Sequence, residues 1–223
     1  MNMRDDWLML AVDPGSEVSA LRSTATLRSV AEAAGASQVV FLETIDHPDT
    51  STASGPESSL IIATGPGLHR RQSDVVDALC RMGHLSPTDL VPRPFTPLGY
   101  FDCSPLRGDY AVAVCVDFVP TADDAAAQES AFDEWYTHEH MSDVCRAPGI
   151  HRAWRVVADD DTPRRYWCIY ESEAPEIFMA SRKGHAPWGG LWLNNIDKST
   201  FRRTYFKLHG FLDTEATITK EVS

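Results

Sequence analysis

The order in which apolar strands and amphipathic helices alternate along this chain constrains its fold more than any other feature. The first part reads as a strand, a helix, two strands, a helix and a weaker strand, and the second part repeats that order from Tyr110 onward. A β-α-β-β-α-β unit forms an antiparallel four-stranded sheet with both helices on one face. We therefore expect an α+β fold of two tandem ferredoxin-like units, residues 1–105 and 106–223.

Apolar periodicity, together with bounding glycines and prolines, predicts the individual elements. In the first half, strands are expected at 7–12, 38–44 and 60–64, and helices at 19–34 and 73–82. Residues 92–105 contain four prolines and are expected to form an irregular connection with one edge strand near 98–101. In the second half, strands are expected at 110–118, 150–158, 165–171 and 201–208, and helices from about 131 and at 175–182.

The composition limits the partners of the chain. Its 223 residues carry 20 Lys and Arg against 32 Asp and Glu, a formal net charge of −12. Nucleic acids and anionic membrane surfaces require clustered positive charge, so neither is expected as a partner. The five cysteines share no short metal-binding spacing, and no apolar run is long enough for a signal peptide or a membrane helix. We expect a soluble cytoplasmic protein.

Residues 130–150, SAFDEWYTHEHMSDVCRAPGI, concentrate the side chains that can perform chemistry. Ser130 predicts an N-terminal cap, so a helix is expected to begin at about Ala131 and to end before Pro148.

One face of this helix, at about 100° per residue, carries aromatic rings together with two acids. The residues on that face are Phe132, Trp135, Tyr136, Glu139 and Asp143. A helix packed only for structure would not aim two acids inward, because burying unpaired carboxylates is costly. His140 is expected at the edge of the face, and His138 points away from it. The alternative is a slightly rotated helix with its acids at the rim and its histidines solvated.

The run FDEWYTHEHMSDVCRAPGI resembles the "WY…EH…D…PGF" helix-to-strand segment of the dimeric α/β-barrel superfamily, particularly its EthD-like members and cofactor-free relatives. The resemblance covers roughly residues 110–208, and the residues that carry it are Trp135, Tyr136, His140, Asp143, Pro148 and Gly149. Single-domain members of the superfamily dimerise to make the barrel. The resemblance therefore implies a pseudo-dimeric α/β barrel that the two units close within one chain.

The two halves are not chemically equivalent. When Gly35 is aligned with Gly149, Leu21 falls opposite Trp135, and threonines fall opposite both histidines of the second-half helix. The first unit is therefore expected to be a scaffold with a degenerate site, and the second unit to carry the candidate active site.

Candidate substrate-binding residues lie on three parts of the second half. One is on the helix, one is on the strand at 150–158, and the others are in the stretch GHAPWGGLWLNN. The glycines of this stretch suit a lid that closes over an aromatic or hydrophobic ligand, although a structural loop anchored by tryptophans also fits. The candidates are Trp135, Trp154, His185, Trp188 and Trp192.

The spacing of polar residues argues against several kinds of site. His138 and His140 are two residues apart, so on a helix they diverge by about 200° and cannot chelate one metal ion together. No HExxH motif, no GxSxG elbow and no GxGxxG loop after a strand is present. We expect neither a metal nor a cofactor.

What remains is general acid–base catalysis centred on histidine, which titrates near neutral pH. His140 is predicted to be the main acid or base, with Asp143 as its partner one helical turn away. Tyr136 is predicted to donate a hydrogen bond to a developing oxyanion. Repulsion between Glu139 and Asp143, combined with burial, would raise the pKa of one carboxyl towards neutrality.

The sequence favours an isomerase or lyase that acts on an aromatic or hydrophobic small molecule. A cofactor-independent monooxygenase of an aromatic substrate, an activity of some proteins with this fold, is the alternative that the resemblance implies. A non-catalytic barrel that binds a ligand or haem, with His140 or His185 as an axial ligand, is a third possibility. A homodimer of the whole chain is left open.

Overall fold

The computed structural model describes residues 6–48, 50, 59–121, 123–181, 192 and 194–210. Within these ranges the chain forms strands and helices in alternation and divides into two compact units. The strands pair in antiparallel fashion, so the α+β class predicted from the sequence is confirmed.

The first unit comprises the described residues of 6–44, 59–97 and 207–210. Its elements are β1 (Asp6–Val12), α1 (Thr24–Ala34), β2 (Gln38–Thr44), β3 (Ser59–Gly65), α2 (Gln72–Gly83) and the first part of β4 (Leu90–Asp102). The strand order is β4-β1-β3-β2. The apolar stripes of both helices pack on one face of this sheet, and the core includes Leu8, Leu10, Leu27, Val30, Phe41, Ile61, Val75 and Leu79.

β4 is a continuous strand where the sequence predicts an irregular connection. Its residues 90–95 pair with β1 in antiparallel register, although Pro92 and Pro94 lie within that stretch. Backbone N–H groups point alternately to the two sides of a strand, so prolines two residues apart lack their N–H on the same side. The other side keeps its donors for β1. The predicted edge strand near 98–101 lies within β4. The predicted irregular stretch before it is wrong because the number of prolines was considered without their spacing.

The second unit comprises the described residues of 45–50, 98–181 and 192–206. Its elements are β5 (Tyr110–Val116), α3 (Ala125–Trp135), a π turn (Tyr136–His140), α4 (Met141–Cys145), β6 (Ile150–Ala158), β7 (Tyr166–Ser172), α5 (Pro175–Ser181) and the first part of β8 (Arg202–His209). The strand order is β8-β5-β7-β6. Gly149, with φ of 87°, reverses the chain before β6 in a conformation that favours glycine.

A β-bulge at the start of β6 decides which of its residues face the helices. The pairing of β6 with β7 shifts between Ile150 and Arg152. One extra residue moves the alternation of side chains by one position, and Ile150 therefore lies with Ala153 in the core beneath the helices. Strict alternation along β6 would put Ile150 on the same face as Trp154, and the bulge moves it to the other face.

Candidate functional site

The helix that carries the candidate residues begins earlier than predicted. The Asp124 side chain caps α3 by accepting a hydrogen bond from the Ala127 N–H at 3.1 Å. The predicted cap, Ser130, lies inside the helix, and the predicted start at Ala131 is wrong. Three consecutive alanines at 125–127 favour helix and extend it towards its N-terminus.

A π turn, Tyr136–His140, lies between α3 and α4. The Met141 N–H donates to the carbonyl of Tyr136, five residues earlier, where an α-helix would bond residues four apart. Buried positions show the same step, because Phe132, Tyr136, Met141 and Cys145 are separated by four, five and four residues. One extra residue is therefore accommodated in the turn, while the flanking helices keep their buried faces aligned.

The π turn places His140 against Trp135. Their rings stack with centroids 5.1 Å apart and 24° between their planes, whereas residues five apart in an α-helix diverge by about 140°. The His140 ring also meets the Tyr136 ring edge-on at 4.8 Å. Glu139 is exposed. The prediction that Glu139 lies on the inner face is wrong because it applied 100° per residue throughout.

Further rings extend this contact into an aromatic cluster, which we define as Phe118, Phe132, Trp135, Tyr136, His140 and Trp192. The Trp192 ring lies 5.6 Å from Phe132 and 6.3 Å from Trp135, and Phe118 stacks on Phe132 at 4.8 Å. Phe132 and Tyr136 are buried, whereas Trp135 and His140 are half-buried. The cluster thus combines a buried floor with a partly exposed pair of rings on which an aromatic ligand could stack.

Arg155 supports the cluster from the sheet. Its side chain is 1% exposed and forms an ion pair with Asp133 of α3. The guanidinium carbon lies 4.7 Å from the centroid of the Tyr136 ring and 5.3 and 5.2 Å from two further rings, those of Phe132 and Tyr166. A desolvated cation over an aromatic face is attracted by the ring quadrupole. Arg155 therefore holds the Tyr136 ring in place beneath the π turn.

Two buried polar groups of β7 lie close to the Tyr136 side chain, the Cys168 thiol and the Tyr170 hydroxyl. Burial raises the pKa of Cys168 to about 12 and raises the pKa of Tyr170 well above its ordinary value, because the interior disfavours their charged forms. Both groups therefore stay protonated at neutral pH. The sequence did not single them out, since both occupy ordinary inward positions of a buried strand.

The two acids predicted on the inner face of the helix, Glu139 and Asp143, lie on its solvent side. Asp143 pairs with Arg146 at 2.7 Å, and their side chains are 51% and 74% exposed. Glu139 is exposed as well. The argument that one of these carboxylates becomes a base rested on their burial, which the structure does not provide.

Trp154 does not join the aromatic cluster. Its neighbours on β6, Ala153 and Arg155, both face the helices, and successive strand residues point to opposite faces. Trp154 is 2% exposed, and its ring centroid lies 5.9 Å from that of Tyr100. The structure therefore places it on the opposite face of the sheet from His140.

Of the remaining predicted residues, His138 is exposed, as expected, and Trp192 is part of the cluster. His185 and Trp188 lie outside the described residues. In the part of the chain that the structure describes, no group of three or more His, Cys, Asp or Glu is arranged to hold a metal ion. No helix among the described residues is long and apolar enough to cross a membrane.

Comparison with known proteins finds likeness in structure. No protein-family model matches the chain, and no curated protein matches its sequence. A proposed monooxygenase from Fusobacterium nucleatum superposes with a TM-score of 0.59 at 13% identity, over 96% of each chain. An anthrone oxidase-like protein gives a TM-score of 0.56 at 10% identity, over 93% of this chain and 92% of that chain. Chlorite dismutase from Candidatus Nitrospira defluvii, in complex with imidazole, gives 0.53 at 10% identity, with coverage of 93% and 92%.

These likenesses establish the fold. They do not single out the EthD-like branch that the sequence resemblance suggests. At identities of 10–13% they carry neither the activity nor the substrate over to this chain.

Proposed function

We propose that this protein is an enzyme that acts on a small aromatic molecule, with the aromatic cluster as its binding surface and His140 as its proton acceptor. The observation that carries the proposal is the stacking of His140 on Trp135 at the π turn. It puts an imidazole, the side chain best suited to proton transfer at neutral pH, beside a flat apolar surface. π turns also occur frequently at functional sites.

The proposed first step is removal of a proton from the substrate. An aromatic ring that stacks on the half-buried Trp135 can present an acidic C–H or phenol O–H to His140. Negative charge then develops on a substrate oxygen, and in this proposal the Tyr136 hydroxyl donates the hydrogen bond that stabilises it. Asp143, which pairs with Arg146 on the solvent side of the helix, stays the predicted partner of His140. Glu139, which is exposed, has no part in this step.

For the second step we propose reaction of the substrate carbanion with molecular oxygen, without a cofactor. A hydroperoxide forms at the deprotonated carbon and loses water, so that a CH2 group becomes a carbonyl. One oxygen atom enters the product and the other leaves as water, and no external reductant is required. The proposed monooxygenase and the anthrone oxidase-like protein among the structural neighbours favour this branch.

An isomerase or lyase shares the first step and is the second candidate. In that case His140 returns the proton at another position, or the carbanion expels a leaving group. The stacked imidazole supports this branch equally, because one histidine can both take and give a proton. The two branches differ in whether oxygen is consumed.

We further propose that residues 1–105 and 106–223 are ferredoxin-like lobes, scaffold and catalytic respectively, which pair as a pseudo-dimeric α/β barrel. Support comes from the equivalent strand orders, β4-β1-β3-β2 and β8-β5-β7-β6. A cytoplasmic location and membership of the EthD-like branch belong to the same proposal. So does a partner set limited to a small molecule, without nucleic acid or membrane. A homodimer of the whole chain stays open.

The test is oxygen uptake by the purified protein with electron-rich phenols and anthrones, followed with an oxygen electrode and by product analysis. His140→Ala should lower turnover by about two to four powers of ten, the usual contribution of a positioned proton-transfer group. His138→Ala is the matched control, because this exposed histidine lies two residues away on the same turn, and it should retain turnover.

Equal losses in the two variants, with both proteins folded by circular dichroism, would exclude His140 as the proton acceptor. Substrate conversion without oxygen uptake would select the isomerase or lyase. A Soret band in the purified protein would instead show that the protein binds haem, and would contradict both cofactor-free reactions.

A further inference from the structure

Two cysteines meet beside the first residues of β6. Cys103 follows the end of β4, and its backbone N–H donates to the carbonyl of His151 at 2.9 Å. Cys145 is the last residue of α4, just before the turn that leads into β6. Their thiols are in hydrogen-bond contact with each other. The fold therefore brings together two sulfur atoms that are 42 positions apart in the sequence.

The two thiols differ in environment. Cys103 is exposed, whereas Cys145 is buried. The hydrogen bond from Cys145 lowers the pKa of Cys103, with a smaller contribution from the positive charge of Arg152, against the opposing effects of burial and Asp102. The same contact, followed by burial, raises the pKa of Cys145 far above its ordinary range. Cys103 therefore loses its proton before Cys145 does. The exposed cysteine becomes the reactive thiolate, and the buried cysteine stays a thiol.

We propose that Cys103 and Cys145 form a redox-active pair that peroxides convert reversibly into a disulfide. The Cys103 thiolate attacks one oxygen of the peroxide and displaces hydroxide or alkoxide, which gives a sulfenic acid. The Cys145 sulfur then attacks the Cys103 sulfur, and hydroxide leaves and takes up the Cys145 proton as water. Two thiols lose two electrons in total, and hydrogen peroxide gains them to become two water molecules.

The first oxidation prepares the second. Once Cys103 is a neutral sulfenic acid, its thiolate no longer raises the pKa of Cys145, although burial still does. The disulfide would join the end of β4 to the end of α4, five residues after His140. The pair is thus placed to report oxidative conditions at the helix that bears the π turn.

Peptide mapping of the full chain tests the pair directly. Reduced protein is treated with a few equivalents of hydrogen peroxide, free thiols are blocked with iodoacetamide, and the disulfide-linked peptides are identified by mass spectrometry. Trypsin leaves Cys115 and Cys145 in one peptide, so a second digestion after glutamate is needed to separate them. A Cys103–Cys145 link that disappears on reduction with dithiothreitol is the expected result.

Three variants sharpen the test. Cys145→Ser should stop the reaction at the sulfenic acid of Cys103, which dimedone traps, and Cys103→Ser should abolish both the link and the dimedone adduct. Cys80→Ser is the matched control and should leave the link unchanged, since the pKa of the Cys80 thiol is raised by burial.

A wild-type protein whose Cys103 reaches the sulfinic acid without any link to Cys145 would overturn the proposal. So would a peroxide-dependent disulfide between Cys145 and another cysteine in Cys103→Ser, because Cys145 would then react without Cys103. None of these readouts uses turnover, so failure of the proposed enzymatic function leaves this test unaffected.

Discussion

At the scale of single residues, Arg155 is a buried side chain that links the sheet to the aromatic cluster. It is 1% exposed, whereas its ion-pair partner Asp133 is 32% exposed, so most of the desolvation falls on the arginine. Breaking a buried ion pair by removing one partner is strongly destabilising, and here the contact with the Tyr136 ring is lost as well. We expect Arg155→Met to lower the free energy of unfolding by about 3 kcal/mol, the low end of the range for a buried pair, because the remaining Asp133 is partly exposed. Urea denaturation measures this change.

Arg146→Met is the control for this substitution. Arg146 also pairs with an aspartate of the same helical segment, Asp143, but both side chains are more than half exposed. Exposed ion pairs contribute about 0–1 kcal/mol, so the free energy of unfolding should change little. Equal effects of the two substitutions would mean that burial does not set the importance of Arg155.

The residues of the site were predictable to different degrees. Trp135, Tyr136 and His140 were predicted because they lie in a short stretch rich in side chains that can bind or react. The structure brings all three into contact. Cys168 and Tyr170 could not be found, because a buried strand alternates such residues whether or not they approach a site. Trp154 was placed with the site on residue type alone, and strand alternation puts it on the other face.

At the scale of elements, the π turn is a one-residue insertion that leaves the flanking helices aligned. Deletion of the exposed His138 should convert it into an ordinary α-helical turn, with Phe132, Tyr136 and Met141 then spaced four apart. We expect the free energy of unfolding to change by less than about 1 kcal/mol, because no buried side chain leaves the core. Turnover should fall about 100-fold, since the geometry of His140 against Tyr136 changes.

Deletion of Ser29 in α1 is the matched control. Ser29 is also exposed, but α1 is a regular helix in which Leu27 and Val30 are buried. Removing one residue there rotates these side chains relative to each other by about 100°, which should cost at least about 3 kcal/mol. Comparable stability of the two deletion variants in urea titrations would contradict the role assigned to the π turn.

Element boundaries followed from the sequence where local signals were complete. β2 and β6 match their predicted ranges because turn residues bound both. The π turn was not predicted because a fixed helical period was applied. The spacing indicates it, since the next buried residue after Tyr136 is Met141, five positions on, and not Glu139 or His140. Only residues 98–101 of β4 were predicted as a strand, because the number of prolines was considered and the two-residue spacing of Pro92 and Pro94 was not.

At the scale of the whole molecule, buried weak acids should make the fold sensitive to alkali. Burial raises the pKa of Cys168 from 9.0 to about 12 and that of Tyr170 well above 10.0. Above pH 9 for Cys168, and above pH 10 for Tyr170, the unfolded chain loses its proton while the folded chain keeps it, so the unfolded state binds fewer protons. The free energy of unfolding should therefore be unaffected by these groups below pH 9. At higher pH, each group that titrates should lower the free energy of unfolding by about 1.4 kcal/mol per pH unit.

Urea denaturation between pH 8 and pH 11 measures this slope. Cys168→Ala should remove the contribution of one group, so the free energy of unfolding should fall less steeply with pH, by about 1.4 kcal/mol per pH unit. A slope in the variant as steep as in the wild-type protein would show that Cys168 is not one of the groups responsible.

The one-residue nature of the π turn also bears on how such a site arises in a gene. A single in-frame codon inserted into an ordinary helix is enough to create the turn, and the aligned flanks mean that the encoded protein need not lose its fold in the process. Helix α1 of the first unit has no such turn and is regular over Thr24–Ala34. If the two units descend from one duplicated ancestor, their chemical divergence could have begun with three nucleotides, and the deletion of one codon would reverse it.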